Sequence, residues 1–184
     1  MTWEEMRQEL ANLKTALSLD HTPIGIAFVP EALSGLSRPD RPVPSGCSFW
    51  RMAERDVIFT APEDHNCPIG VMTMGFQLAP EKEPEAKALL DLMCDCAYIS
   101  PEELSQIPGV ERSHYGIVYG PLGQMPVEPD VAFFVCRPGQ AMMLAEAMGS
   151  VAWKGGPGTP AFGRPACATI PMALKTGVPS MSLG

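Results

Sequence analysis

Residues 23–30 run Pro23-Ile24-Gly25-Ile26-Ala27-Phe28-Val29-Pro30. An apolar run this short, closed at its end by a proline that cannot donate to a ladder, reads as a buried strand. Upstream, Thr2 to Leu17 reads as a helix. Thr2 and Glu5 form a capping box, and Met6, Leu10, Leu13 and Leu17 recur at helical spacing. Downstream, Gly35 to Gly46 is rich in Pro and poor in apolar residues, a loop that delivers the chain to Cys47. A short helix over 48–55 and a strand over 57–60 follow. Pro68 opens a helix running to Phe76, with Cys67 just before it.

The second half continues the mixture. Glu81 to Cys96 reads as a helix with Ala86, Leu89, Leu90 and Met93 on one side. Ser100-Pro101-Glu102-Glu103 carries the cap, the first-position Pro and the acids of another helix start. Strands are expected over His114–Tyr119 and Val131–Cys136, and a helix over Gln140–Met148. A Gly- and Pro-rich segment, Lys154–Pro165, then leads to Cys167 and a short apolar stretch ending at Leu174. Strands and helices do not alternate strictly, so the fold class is α+β, a mixed sheet of short strands with packed helices. No linker divides the chain, which reads as a single domain over 1–184. A weak internal duplication is visible: in each half a strand, a helix and a loop end at a Cys (Cys67, Cys167) that opens an apolar, Met-bearing segment.

Composition bounds the function. The chain has 184 residues and 46% hydrophobic content, enough for a core that folds unaided. Its formal charge of -8 excludes a nucleic-acid binder that relies on a basic surface. The 20 Pro and 17 Gly are well above the usual share and exclude a plain helical bundle. The start is charged and amphipathic, unlike a signal peptide, and no apolar run reaches the roughly 18 residues of a membrane span. A reducing cytoplasm is the expected compartment. Six Cys are too sparse for a disulfide scaffold in a chain this long.

Three of these cysteines share a setting. Cys47, Cys67 and Cys167 each follow a turn-rich segment and begin an apolar one. A sulfur at a helix start meets free N–H groups and the positive end of the dipole, which favour thiolate. If the three converge they make a metal or iron–sulfur site; if they do not, each is a small buried hydrophobe. Cys94-Asp95-Cys96 sits near a helix end, where residues two apart point to opposite sides, and reads as packing. Cys136 ends an apolar strand. His65 belongs to the cluster Glu63-Asp64-His65-Asn66-Cys67, in which the imidazole is placed to deprotonate a sulfur, ligate a metal or bind an anion. The alternative makes Asp64 and Asn66 turn and cap residues with His65 exposed. His21 and His114 flank strands without polar company. Gly155 to Pro160 lacks the Lys-Ser/Thr ending of a phosphate loop, no Ser stands in a nucleophile-elbow motif, and the 12 Met read as core fillers.

The stretches Gly46-Cys47-Ser48-Phe49-Trp50 and Glu63 to Gly70, followed by Val118 to Leu122, Arg137 to Met142 and Gly163 to Cys167, resemble the bacterial and archaeal family known as domain of unknown function 169. The resemblance spans about 23 to 184. It implies kinship without a particular activity. It also implies Cys at the positions of Cys47, Cys67 and Cys167, and a fourth Cys in a C-terminal tail beyond Gly184. Either the sequence is truncated at Gly184 or this member lacks the tail; without that Cys, His65 or an exogenous ligand would complete a four-ligand set.

The expected function is a thiolate-ligated cofactor protein, iron–sulfur or other metal-binding, with Cys47, Cys67 and Cys167 as ligands, His65 beside them, and a redox role. Its partner would be a redox protein or a small molecule, and homo-oligomerisation stays open. Two alternatives stand beside it. One is a small-molecule or haem binding module without catalysis; the other is a thiol enzyme using Cys67.

Overall fold

The first expected strand organises the molecule. In the computed structural model, which describes residues 2–149, 152–154 and 165–182, β1 (Ile24–Val29) is buried at every position. It pairs antiparallel with β3 (Gly116–Pro121) on one side and β4 (Val131–Phe133) on the other. β2 (Ile58–Thr60) adds to the far side of β3, giving the order β2-β3-β1-β4. A second sheet pairs β5 (Ala152–Lys154) with β6 (Ser180–Ser182) in parallel. The fold is α+β.

Successive residues of a strand point to opposite faces, and both faces of this sheet are covered. Ile24, Ile26, Phe28, Ile58, Ile117 and Tyr119 point to a face closed by helices. Ala27, Val29, Phe59 and Val118 point to the other, where Met125 fills the centre. β3 begins at Gly116, later than His114, because its partner Val29 is the last residue before Pro30. β4 stops at Phe133, short of Cys136, with Arg137 and Pro138 opening the next helix.

The helices are α1 (Trp3–Leu10), α2 (Leu13–Ala16), α3 (Gly46–Ala53), α4 (Pro68–Thr73), α5 (Glu83–Asp95), α6 (Pro101–Leu104), α7 (Pro138–Met148) and α8 (Pro165–Thr176). The expected caps are present: Thr2 with Glu5 and Ser100 with Glu103 form reciprocal boxes. The helix expected over Thr2–Leu17 is broken at Ala11 and Asn12. There the 3-10 turn Leu122–Gln124 packs so closely that a Cβ on Gly123 would stand 2.6 Å from Ala11 Cα. α8 runs beyond the expected stretch, continuing past Pro171 to Thr176. α7 buries none of its residues, and Met142, Met143, Met148 and Met72 are exposed, so these methionines do not fill the core. The Gly155 to Pro160 stretch lies outside the described residues.

α3 packs on β3, and α8 packs on α3, α4 and β4. These three helices are the ones opened by Cys47, Cys67 and Cys167. The echo between halves is not in register, since Cys67 caps α4 from outside while Cys167 is the third residue of α8.

Candidate functional site

The Pro-rich loop before Cys47 is stitched to the turn before Cys67. Val43 N–H donates to the Asp64 carbonyl (3.0 Å), Asn66 N–H to the Val43 carbonyl (2.7 Å) and Cys67 N–H to the Pro44 carbonyl (2.9 Å). Gly70 allows this approach, because a Cβ there would lie 2.4 Å from Ser45 Cβ. Ser45 then closes the clasp through a hydrogen bond between its Oγ and His65 Nδ1 (2.9 Å), both buried. Two segments about 20 residues apart in the chain thus form one frame carrying Cys47 and Cys67.

Each sulfur has a distinct environment. Cys67 Sγ accepts the Gly70 N–H at 3.4 Å and acts as the cap of α4, as the Pro68 signal implied. Cys47 is the second residue of α3, partly buried, with Ser48 Oγ 3.9 Å away. Cys167 is buried. A side-chain hydrogen bond with Cys47 raises its pKa above the ordinary thiol value; burial and the charges of Cys47 and Cys67 push the same way, with Thr73 opposing. Cys47 and Cys67 thus both act on the charge state of the Cys167 thiol. The buried Cys167 thiol stays protonated until something favours the thiolate.

Beneath them stands Tyr119, wholly buried, its hydroxyl without a hydrogen-bond partner among the described residues. A Cβ on Gly46 would lie 3.4 Å from that oxygen, 3.0 Å from Met74 Cε and 3.7 Å from Ile170 Cδ1. The phenol tip is thus where the start of α3, the end of α4 and the flank of α8 meet. Burial raises its pKa well above the ordinary phenol value, and Cys167 and Cys47 add to the rise. The sequence carried no signal for this residue, which reads as one more apolar strand position.

His65 is buried, not exposed, and its ring stands edge-on to Phe49 (4.9 Å) and Phe76 (5.0 Å). Burial lowers its pKa to about 4; the charge of His114 adds to this and Glu63 opposes it. It is neutral near pH 7, bonded to Ser45, and its Nε2 has no partner among the described residues. Its ring lies behind the clasp, against Phe49 and Phe76. The neighbouring acids turn away from it. Asp64 accepts from the Ala61 N–H (2.8 Å) and from Arg38 (2.7 Å), and Glu63 accepts from Arg38 (2.8 Å). Asp64 is the turn residue that the structural alternative described.

Of the remaining cysteines, Cys94 shares with Cys67 the small apolar core around Ile69 and Ile99, whereas Cys96, expected to pack, is exposed at the end of α5. Cys136 is partly buried, and burial raises its pKa. Two histidines have polar company after all: His21 meets Glu54 at 3.0 Å and His114 Nδ1 the Arg112 carbonyl at 3.0 Å. A cleft of about 620 Å³ opens beside His114, lined also by Glu63, Phe76, Arg112 and Tyr115, and no cysteine lines it. Among the described residues no group of three His, Cys, Asp or Glu side chains is arranged to hold a metal ion. Among them, too, no helix is long and apolar enough to cross a membrane.

A sequence model of the family described as "Uncharacterised ArCR, COG2043" (DUF169) matches residues 12–184. The chain is similar to the uncharacterized protein MJ0308 of Methanocaldococcus jannaschii, 28% identical over 200 residues that cover 100% of this chain and 82% of the relative. No solved structure matches it.

Proposed function

We propose, for a chain that belongs to the DUF169 family, that it binds a thiolate-ligated centre, an iron–sulfur cluster or a single soft metal ion. Cys47, Cys67 and Cys167 are the ligands. The observation that carries this reading is that α8, which holds Cys167, packs on both α3, which holds Cys47, and α4, which Cys67 caps.

The donor set fits such a centre. Three sulfurs from three elements offer soft ligands, and a bound cation supplies the charge that a buried thiol needs to lose its proton. The Gly70 N–H on Cys67 fits as well, because hydrogen bonds to ligating sulfur tune a centre without displacing it. The described side chains are not yet arranged as a ligand shell, so binding would turn the sulfurs inward as their protons leave. His65 fits a positioning role, holding Ser45 and the clasp, better than that of fourth ligand. An iron–sulfur cluster bound here would supply one-electron transfer to a redox partner protein or small molecule. The haem alternative has no comparable observation behind it.

Metal analysis of protein purified without oxygen tests the reading. Bound iron with acid-labile sulfide, or a stoichiometric soft metal, is expected, together with a broad charge-transfer absorption. Cys47→Ser, Cys67→Ser and Cys167→Ser should each lose it, and Cys96→Ser should keep it. Colourless, metal-free protein that also fails to take up cobalt(II) anaerobically would sink the proposal.

A further inference from the structure

We infer that the cleft beside His114 is a binding site for a small, uncharged nitrogen heterocycle of the nucleobase kind. The inference stands apart from the thiol reading, since no cysteine lines the cleft.

The cleft is built into the fold. Residues 110–115 form one wall, and each end of that segment is tied down. The Val110 N–H donates to the Thr73 carbonyl (2.9 Å) and the Tyr115 N–H to the Val29 carbonyl (2.8 Å). Between these ties Arg112 donates to the Phe28 carbonyl (2.9 Å) and pairs with Asp130. Gly75 lets the turn after α4 meet this wall. Its φ is +81°, and a Cβ there would lie 2.5 Å from the Val110 carbonyl oxygen. Ala61 and Glu63, which also line the cleft, are held by Asp64 and Arg38. The volume of about 620 Å³ among these braced segments is in the range of small-molecule sites.

The lining selects by chemistry. Its ionised side chains are already matched: Glu63 with Arg38, Glu111 with Lys175 and Arg112 with Asp130. Burial lowers the pKa of His114 below the ordinary imidazole value, so its ring is neutral near pH 7. No unmatched charge is left to receive an ion. What stays open is of another kind. The Gln77 carboxamide and the Ser113 hydroxyl line the cleft without a hydrogen-bond partner among the described residues. Each can donate and accept at once. Tyr115 stacks on Phe59 (centroids 6.1 Å, planes 18° apart) yet is 55% exposed, so its ring is positioned by one neighbour and open to another. Phe76, buried between the rings of His65 and His114, adds apolar surface. A flat heterocycle answers both features: its face stacks on an aromatic ring, and its edge carries N–H donors beside nitrogen or carbonyl acceptors. A nucleotide would bring a phosphate that needs a free cation. The base or its nucleoside is therefore the form that fits.

Titration of isotope-labelled, metal-free protein with adenine, uracil, their 5′-monophosphate nucleotides and benzoate, followed by amide chemical shifts, tests this. At least one base should shift the amides of residues 110–115 saturably at low-millimolar concentration, more tightly than its nucleotide, and benzoate should not bind. Tyr115→Ala and Gln77→Ala, both at exposed positions, should keep the urea midpoint of the wild type. Tyr115→Ala should weaken the base about tenfold, the size of one lost stacking contact, and Gln77→Ala should weaken it too. No saturable shift with either base would overturn the inference. Tighter binding of benzoate or of a nucleotide would make the cleft an anion site and overturn it, as would wild-type affinity in both variants. The titration needs no metal, so its failure leaves the thiol reading untouched.

Discussion

On one face of the sheet, Ala27, Val29, Phe59 and Val118 close over Met125, with Gly25 leaving room: a Cβ there would fall 2.4 Å from Met125 Cγ. On the other face, the alternate residues of the same strands meet Phe49, Met74 and Ile170, and here the packing encloses Tyr119 and Cys167, with His65 behind Phe49. Each face is excluded from water, and each is held by apolar burial. They differ in what the apolar atoms surround. The first is hydrocarbon at its centre. The second wraps hydrocarbon around a hydroxyl and an imidazole nitrogen that have no partners among the described residues, with the buried Cys167 beside them. One face is apolar to its centre, while the other carries the cost of enclosing polar atoms left unpaired among the described residues.

The largest effects should separate the faces directly. Phe49→Ala is expected to cost about 4 kcal/mol and Met125→Ala about 3 kcal/mol in urea denaturation, since both side chains are fully buried. Only Phe49 touches the rings of Tyr119 and His65. At a urea-free pH where both variants remain folded, cobalt(II) uptake should therefore weaken in Phe49→Ala and persist in Met125→Ala. Equal loss in the two would show that the faces act as one unit.

A second effect, roughly 3 kcal/mol, concerns pH and the metal-free protein. Burial holds His65 at about 4 against 6.5 for a free side chain. As pH falls, the unfolded chain takes up the proton first. The contribution is fully present above pH 6.5 and is lost progressively as pH drops to about 4. His65→Asn keeps a polar group beside Ser45 but does not titrate, so its stability should fall less steeply over that window. Parallel curves would mean that His65 is not held neutral.

The smallest effect belongs to Cys96, exposed at the end of α5. Cys96→Ser should change stability by less than about 0.5 kcal/mol and leave anaerobic metal content unchanged. A change in metal content would move the site away from the helix-covered face.

Local features carried the sequence reading furthest. The strand Ile24–Val29, the Thr2 and Ser100 caps and the Cys67–Pro68 helix start each depend on residues within a few positions. The setting common to Cys47, Cys67 and Cys167 was also legible, because a turn followed by an apolar run is a local pattern. What joins Cys47 to Cys67 was not: the backbone bonds of Val43 and Pro44 to residues 64–67 leave no mark on side-chain spacing. The grouping of Glu63 and Asp64 with His65 misled for the same reason, since Arg38, 26 residues before Asp64, takes both acids. Tyr119 was invisible because a buried phenol and a buried phenyl ring look alike in a strand.

The clasp between residues 43–45 and 64–67 also divides the site into unequal parts. Three backbone hydrogen bonds and the Ser45–His65 pair lock Cys47 and Cys67 into a single platform. Cys167 joins it only through the packing of α8 on α3 and α4. If the proposed centre binds, the backbone carrying Cys47 and Cys67 is already ordered, and only their side chains remain to turn. Cys167 is then the ligand whose placement depends on the docking of α8, so loosening that helix should shorten the lifetime of the bound state.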